Sequence, residues 1–353
     1  MATNDTTVVG NFLDLLKFRL PNGSPVDRVV NTLVEIDHFT KDMPLLPANQ
    51  GLTHHMLRQT SLPTGYLVYV GGSWKSSKAQ YEPAVEGLCT IRSSYEAPSD
   101  TYEQMEEAVG RMQFQAQLDA HIMALNQGVG NLVLSGSSVP NQASITGLMK
   151  RAPYLTYDNK FTFSVGGSGS DLRSVWLMKP GIDTVHGLYN RNHPTLGVEQ
   201  KEMPLSKVTG LGTSADEHRW DVTVENRIIK GIAIEDQTAV KRICNIPCGT
   251  ADYPGEDVVR SLIDASIINA TKRPGVGASM DAEPDILNTW MAYCDERLYS
   301  KLVQAANDKT FVYQSAENIY RTKLPMIGDN IIIRRWDALN HDIGSGEDAV
   351  SAA

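Results

Sequence analysis

From His54 to Tyr95 the chain carries extended runs with almost nothing to bury, and this limits the folds open to it. Met56 to Thr60, Tyr66 to Val70 and Gly87 to Ser93 read as strand segments. They are separated by Pro63-Thr64-Gly65 and by the tip Gly71-Gly72-Ser73-Trp74-Lys75-Ser76-Ser77-Lys78. A two-stranded excursion of this kind is marginal by itself in water, so it must rest on something else. A neighbouring subunit is the natural candidate. The stretch before it is broken by Pro21, Asn22, Gly23 and Pro25 and reads as an arm. One modest helix is expected there, from Val26 to about Phe39, stopping near Met43-Pro44.

A long helix follows. Asp100 stands as N-cap with Glu103 in the capping-box position, and Glu106 and Glu107 suit the positive end of the dipole. Met105, Val109, Met112, Ala116, Ala120 and Met123 recur at three- and four-residue steps, which predicts one packed face ending at Gly128 and Gly130. At about 26 residues and 1.5 Å per residue this helix spans roughly 40 Å. The centre of the chain is β-rich. Strands are expected at Ser174 to Met178, Thr184 to Tyr189, Trp220 to Glu235 and Thr238 to Ile246, with loops at Gly166 to Ser170 and Lys201 to Ala215. Amphipathic helices are expected at Glu256 to Ala270 and at Asp285 to Ala306, the latter with Leu287, Trp290, Met291, Cys294, Leu298 and Leu302 on one side. Strands near Thr310 to Tyr313, Ile319 to Met326 and Asn330 to Arg335 close an α+β chain, and a polar tail expected to be disordered begins at His341.

Composition narrows the function. Hydrophobic residues at 41% and charged residues at 21% support a buried core and exclude a disordered chain. No apolar run approaches the ~18 residues of a membrane span, and no secretory leader is visible, so the product is expected in the cytoplasm. The four cysteines at 89, 244, 248 and 294 are then expected to be free thiols. A formal charge of −9, with no long basic run, repels a phosphate backbone. Such a surface suits a wall beside DNA better than a grip on it.

The catalytic census is nearly empty. The glycines of Gly166-Gly167-Ser168-Gly169-Ser170 lack the Lys-Ser or Lys-Thr of a phosphate loop. Cys244 and Cys248 have no second ligand pair for zinc, and His54 and His55, adjacent on a strand, face opposite sides. His186, His193 and His218 are dispersed, and no nucleophile elbow or Cys-His signature accompanies them. No catalytic residue, cofactor or metal site is therefore assigned. Lys75 and Lys78, at the glycine-flanked tip, are candidates for partner contact.

Three stretches carry a resemblance. They are Ser61-Leu62-Pro63-Thr64-Gly65 through Lys78 to Glu86-Gly87-Leu88-Cys89-Thr90; Gly147 to Tyr154 with Gly169 to Leu177 and Thr184 to Tyr189; and Arg219 to Val224 with Ile228 to Asp236 and Val240 to Ile246. In this order they resemble the major capsid proteins of short-tailed, podovirus-like double-stranded DNA phages, whose subunits have the Hong Kong 97 phage-type fold. The resemblance implies an N-arm at 1–54, an extended loop at 55–99 and a peripheral domain with its spine helix at 100–144. It further implies an axial domain at 145–308 that includes some peripheral strands, return strands at 309–340 and a tail at 341–353.

The implied function is a non-enzymatic head subunit that assembles by way of a procapsid, in the host cytoplasm, into hexamers and pentamers of an icosahedral virion shell. Trp74, Lys75 and Lys78 would make inter-subunit contacts, and Met105, Val109, Met112, Ala116 and Met123 would pack the spine helix. The implied partners are copies of itself, a separate scaffolding protein, a portal protein at one vertex, a cement or decoration protein, and packaged DNA without sequence specificity, with no membrane. No Asn and catalytic Glu match the isopeptide crosslink of the family's type member, so none is expected at Lys75 or Lys78. The competing readings are an encapsulin-like compartment shell and a cytoplasmic α+β hydrolase built on one of the histidines.

Overall fold

The computed structural model of the chain describes residues 38–99, 109–136, 144–152, 154–156, 160–192, 196–209, 218–247, 255–273, 289–307, 313–317, 323–327, 330–340 and 346–350. The helix expected from Val26 and the cap at Asp100 lie outside the described residues, as do Met105, His193 and Cys248. The chain divides into two compact units. The larger holds Glu35–Cys89, Val129–Leu196 and Ile229–Ala353, and the smaller holds Thr90–Gly128 and Gly197–Ile228 together with Met1–Val34.

The larger unit contains a seven-stranded sheet. Its strands are β4 (Thr162–Ser164), β5 (Leu172–Met178), β9 (Val240–Pro247), β10 (Trp290–Cys294), β11 (Tyr313–Glu317), β12 (Lys323–Ile327) and β13 (Ile331–Arg335), in the order β11-β12-β13-β10-β5-β9-β4. Every residue of β5 is buried, as expected of a strand covered on both faces. Two helices, α2 (Gly255–Ile267) and α3 (Glu296–Asn307), supply apolar stripes to the same core. Val258, Val259 and Leu262 from α2 and Leu298 and Leu302 from α3 join Val175, Leu177, Ile243, Trp290 and Ile331 in one buried cluster.

The expected helix from Asp285 divides into two elements. Trp290–Cys294 is the central strand β10, parallel to β13 and antiparallel to β5, and the helix begins only at Glu296. Asp295 sets the boundary: its Oδ1 accepts the Leu298 amide at 2.8 Å, an N-cap bond that starts α3. The tail also departs from expectation. Glu347 bridges to Leu172 at the sheet, and its carboxylate meets Arg242 at 2.7 Å and accepts the Ser174 hydroxyl. This ion pair, backbone bonds at Gly346, Glu347 and Ala349, and the Asn245 side chain on the Val350 amide and carbonyl together hold Gly346 to Val350 in place.

A second sheet contains β1 (Leu45–Pro47), β2 (Thr53–Ser61), β3 (Gln80–Pro98), β6 (Val185–Tyr189) and β8 (His218–Ile234), in the order β1-β6-β8-β3-β2, with β3 beyond Cys89 and β8 before Ile229 belonging to the smaller unit. A helical turn at Phe39–Asp42 precedes it. Phe39 stacks on Trp336 at 4.6 Å between centroids, and Asp42 accepts from Arg334 at 2.8 Å.

In the smaller unit β7 (Val198–Thr209) runs antiparallel to β8. Its second half had been expected as loop from Lys201. The segment is mostly polar, with Glu199 to Glu202 in succession, and is interrupted at Pro204, where the register shifts between Met203 and Ser206, so it lacks the apolar alternation of a core strand. Tyr95, Ala97, Leu118 and Val224 form the small core of this unit.

The long helix is α1 (Val109–Ser135) in its described part. It runs through Gly128 and Gly130, where a stop was expected, and ends at Gly136. A Cβ on Gly136 would lie 2.3 Å from the Ile145 carbonyl, so only glycine lets the chain turn back there. Gly128 instead permits close packing, with the Ile91 side chain 3.4 Å from where its Cβ would stand. Among the described side chains of α1, Leu118, Leu125, Val129, Val133 and Leu134 are buried, offset from the expected stripe; Ala116 is partly buried and Met123 is exposed.

Candidate functional site

The hairpin of β2 and β3 is the excursion expected from the sequence. Thr53 pairs with Gly87 and the ladder runs to Gln59 opposite Tyr81, with an irregularity before Ser61. Beyond Ser61 the ladder stops. The segment Tyr66 to Val70, expected as a strand, is irregular chain, and a turn from Tyr69 to Gly72 closes through the Gly72 amide on the Tyr69 carbonyl at 2.9 Å. Gly71 at the bend has φ of +86°, open to glycine at little cost.

The side chains of this tip face solvent. Leu67 and Val70 are fully exposed, and Leu62, Tyr69 and Trp74 are exposed by more than two thirds. Lys75 and Lys78 are exposed beside them. Several large apolar groups in sequence, left wet by a single chain, mark an interaction surface. Of the residues expected to contact a partner, Trp74, Lys75 and Lys78 all lie on this tip. Leu67, Tyr69 and Val70 are exposed on the same tip. They were missed because an apolar run flanked by turns reads as a strand; the signal was the absence of any matching run for it to pair with.

The root of the hairpin is built differently. Glu86 of β3 is 3% exposed, yet charged neighbours satisfy it. Arg151 donates from both terminal nitrogens to its two carboxylate oxygens at 2.6 Å, and Arg58 of β2 lies 3.5 Å away. Arg58 also donates to the Ile234 carbonyl at 2.6 Å, and Arg151 donates through Nε to the Thr146 carbonyl at 2.9 Å. The bidentate geometry is the strong form of this interaction, and it ties both hairpin strands to the body of the unit.

The histidines are not all dispersed. A reversal from Gln50 to Thr53 after β1 turns the chain back, so that His54 meets His186 of β6 edge to face at 6.0 Å between centroids, with Glu235 beside them. Burial pushes His186 down to about 4, aided by His54, and burial also lowers His54. Desolvation and the nearby Asp183 raise Glu235, with Arg273 and Arg58 opposing. His55 points away and is exposed, as the strand alternation required. The thiols of Cys89, Cys244 and Cys294 are free and buried; burial lifts Cys89 and Cys244 to about 11, which leaves them unreactive at neutral pH.

The sequence matches the profile of the family described as major capsid protein GP7 over residues 21–349. No curated protein matches it. Among solved structures it is similar to that of bacteriophage epsilon15, at 19% identity and a TM-score of 0.63, covering 95% of this chain and 97% of that one. A decorated capsid of bacteriophage JBD30 is similar at 11% identity and a TM-score of 0.49, over 94% of this chain and 99% of that one. An encapsulin complex from Synechococcus elongatus reaches 10% identity and a TM-score of 0.38, over 62% and 93%. Only the first superposes closely enough to bear on the fold.

Proposed function

The chain belongs to the major capsid protein GP7 family, and on that premise we propose that its subunits join as hexamers and pentamers through the β2–β3 hairpin. It is a structural protein of the phage virion shell, not an enzyme, and its α+β fold is of the Hong Kong 97 phage type. No helix among the described residues is long and apolar enough to cross a membrane.

The observation that carries the proposal is the exposed apolar tip on a firmly anchored root. Laying Leu62, Leu67, Tyr69, Val70 and Trp74 on an adjacent subunit removes that surface from water, at roughly 25 cal/mol per Å². A specific interface needs about 800 Å² per partner, so the tip supplies part of each contact and the arm and other faces the rest. Repetition around a closed shell turns many modest contacts into a stable particle. In this reading residues 1–54 are the arm, 55–99 the extended loop, 100–144 and 309–340 peripheral, and 145–308 axial. Scaffolding protein, portal and decoration protein complete the proposed partner set, and the DNA inside meets an acidic subunit that does not hold it.

Expression with and without a phage scaffold, followed by sedimentation and negative-stain electron microscopy, tests the proposal. Closed shells or hexamer and pentamer rings support it. A stable monomer under both conditions rejects it, and a shell that encloses a cargo enzyme instead of DNA moves the reading to a compartment.

A further inference from the structure

We propose that His54, His186 and Glu235 form a divalent-metal site, two imidazoles and one carboxylate suited to Zn²⁺, that pins the root of the β2–β3 hairpin. Their ligand atoms lie within 4.8 Å of one another. The inference rests on these residues and not on the capsid reading.

Backbone pairing brings the three together from distant parts of the sequence. His186 lies opposite Ala233 in the β6–β8 ladder, and the Glu235 amide donates to the Thr184 carbonyl at 2.8 Å, so strand register fixes both residues. β1 runs parallel to β6, and the mutual bonds of Gln50 and Thr53 turn the chain so that His54 returns over β6. His186 is fully buried, and neither ring nitrogen makes a hydrogen bond of normal geometry. A buried imidazole left in that state calls for an explanation, and a metal ion supplies one.

The geometry needs modest closure. Ligand atoms around tetrahedral zinc stand roughly 3.4 Å apart, from metal–ligand distances of about 2.0–2.2 Å. His54 and Glu235 are only partly buried and can move inward, whereas His186 is fixed. His54 Nδ1 accepts only a long 3.4 Å bond from the Asn49 amide, so ligation through either nitrogen costs little. Glu235 also lines the cleft along β2 with Asp236, Arg58 and Arg273, which leaves water access to a fourth position. The three acidic groups there, with Glu82, outnumber the two arginines. Paired imidazoles favour Zn²⁺ over Mg²⁺ or Ca²⁺, which prefer all-oxygen sites.

The test uses the full-length chain stripped with a chelator and loaded with Zn²⁺ alone, or in a second arm with Co²⁺. The expected results are about one Zn²⁺ retained per chain after desalting, a visible Co²⁺ absorption of four-coordinate type, and at least about tenfold weaker binding in His54→Gln and Glu235→Gln. His55→Gln should bind as the parent does. On the unaltered chain, Zn²⁺ should protect His54 from acylation, mapped by mass spectrometry, while exposed His55 reacts equally with and without metal. This arm does not depend on a variant folding. Absence of retained Zn²⁺, equal binding by His54→Gln and Glu235→Gln, or unprotected His54 would overturn the proposal.

Discussion

The seven-stranded sheet and the tip of the β2–β3 hairpin are both rich in large apolar residues, yet they treat them oppositely. In the sheet, Trp176, Trp290 and Ile331 are shut away from water, and the buried Arg173 and Arg242 meet Asp295 and Glu347. At the tip, Leu67, Val70 and Trp74 stand in solvent with no partner strand. The first region is completed by the chain itself. In the proposed reading the second is completed by a neighbour, which gives an exposed apolar tip a use.

Substitutions should separate the two regions. Trp176→Ala empties a fully buried tryptophan site in the sheet and should cost about 3–5 kcal/mol of subunit stability, seen as an earlier denaturant midpoint. Arg151→Met strands the Glu86 carboxylate at the hairpin root with only the 3.5 Å contact to Arg58, and should cost about 3 kcal/mol in the same assay. A ladder-pairing variant at an exposed position of β2 should show no such loss.

Acid should reach the body of the chain through His186. Its folded value, about 4, lies below the ordinary 6.5, so the folded state takes up this proton less readily than the unfolded state does. The associated stability is present above pH 6.5 and is lost as pH falls toward 4, by about 3 kcal/mol. His186→Asn should flatten that slope in pH-dependent unfolding.

The smallest effect on the subunit should come from the tip. Leu67→Ser with Val70→Ser should change unfolding free energy by less than about 0.5 kcal/mol, since these side chains are wet in the single chain. The same pair should abolish or sharply reduce shells in sedimentation. A large loss of subunit stability would mean that the tip packs on its own chain.

The same contrast explains what the sequence made legible. β5, β6, β8 and β9 were readable because apolar and β-branched runs bounded by turns have few other uses. Trp290 to Cys294 was misread because a buried strand followed at once by a helix continues the same apolar spacing through Leu298 and Leu302; only Asp295, as a cap, marked the change. β7 was missed because a polar strand with Pro204 carries no burial pattern. The tip was located by its glycines and by Trp74, Lys75 and Lys78, but Leu67 and Val70 were read as strand because exposure depends on what is missing around them. His54 and His186 meet only through the reversal after β1 and the β1–β6 pairing, which no local pattern announces.

The central claim is that assembly completes the surface that the single chain leaves open. It is tested most directly by placing a thiol at Val70 (Val70→Cys) and measuring its rate of maleimide labelling in dissociated subunits and in assembled shells. The parent chain sets the background rate, with Cys89, Cys244 and Cys294 buried. The account predicts fast labelling in subunits and labelling at least about tenfold slower in shells, because the tip is then covered by a neighbour. Equal rates in the two states would contradict it.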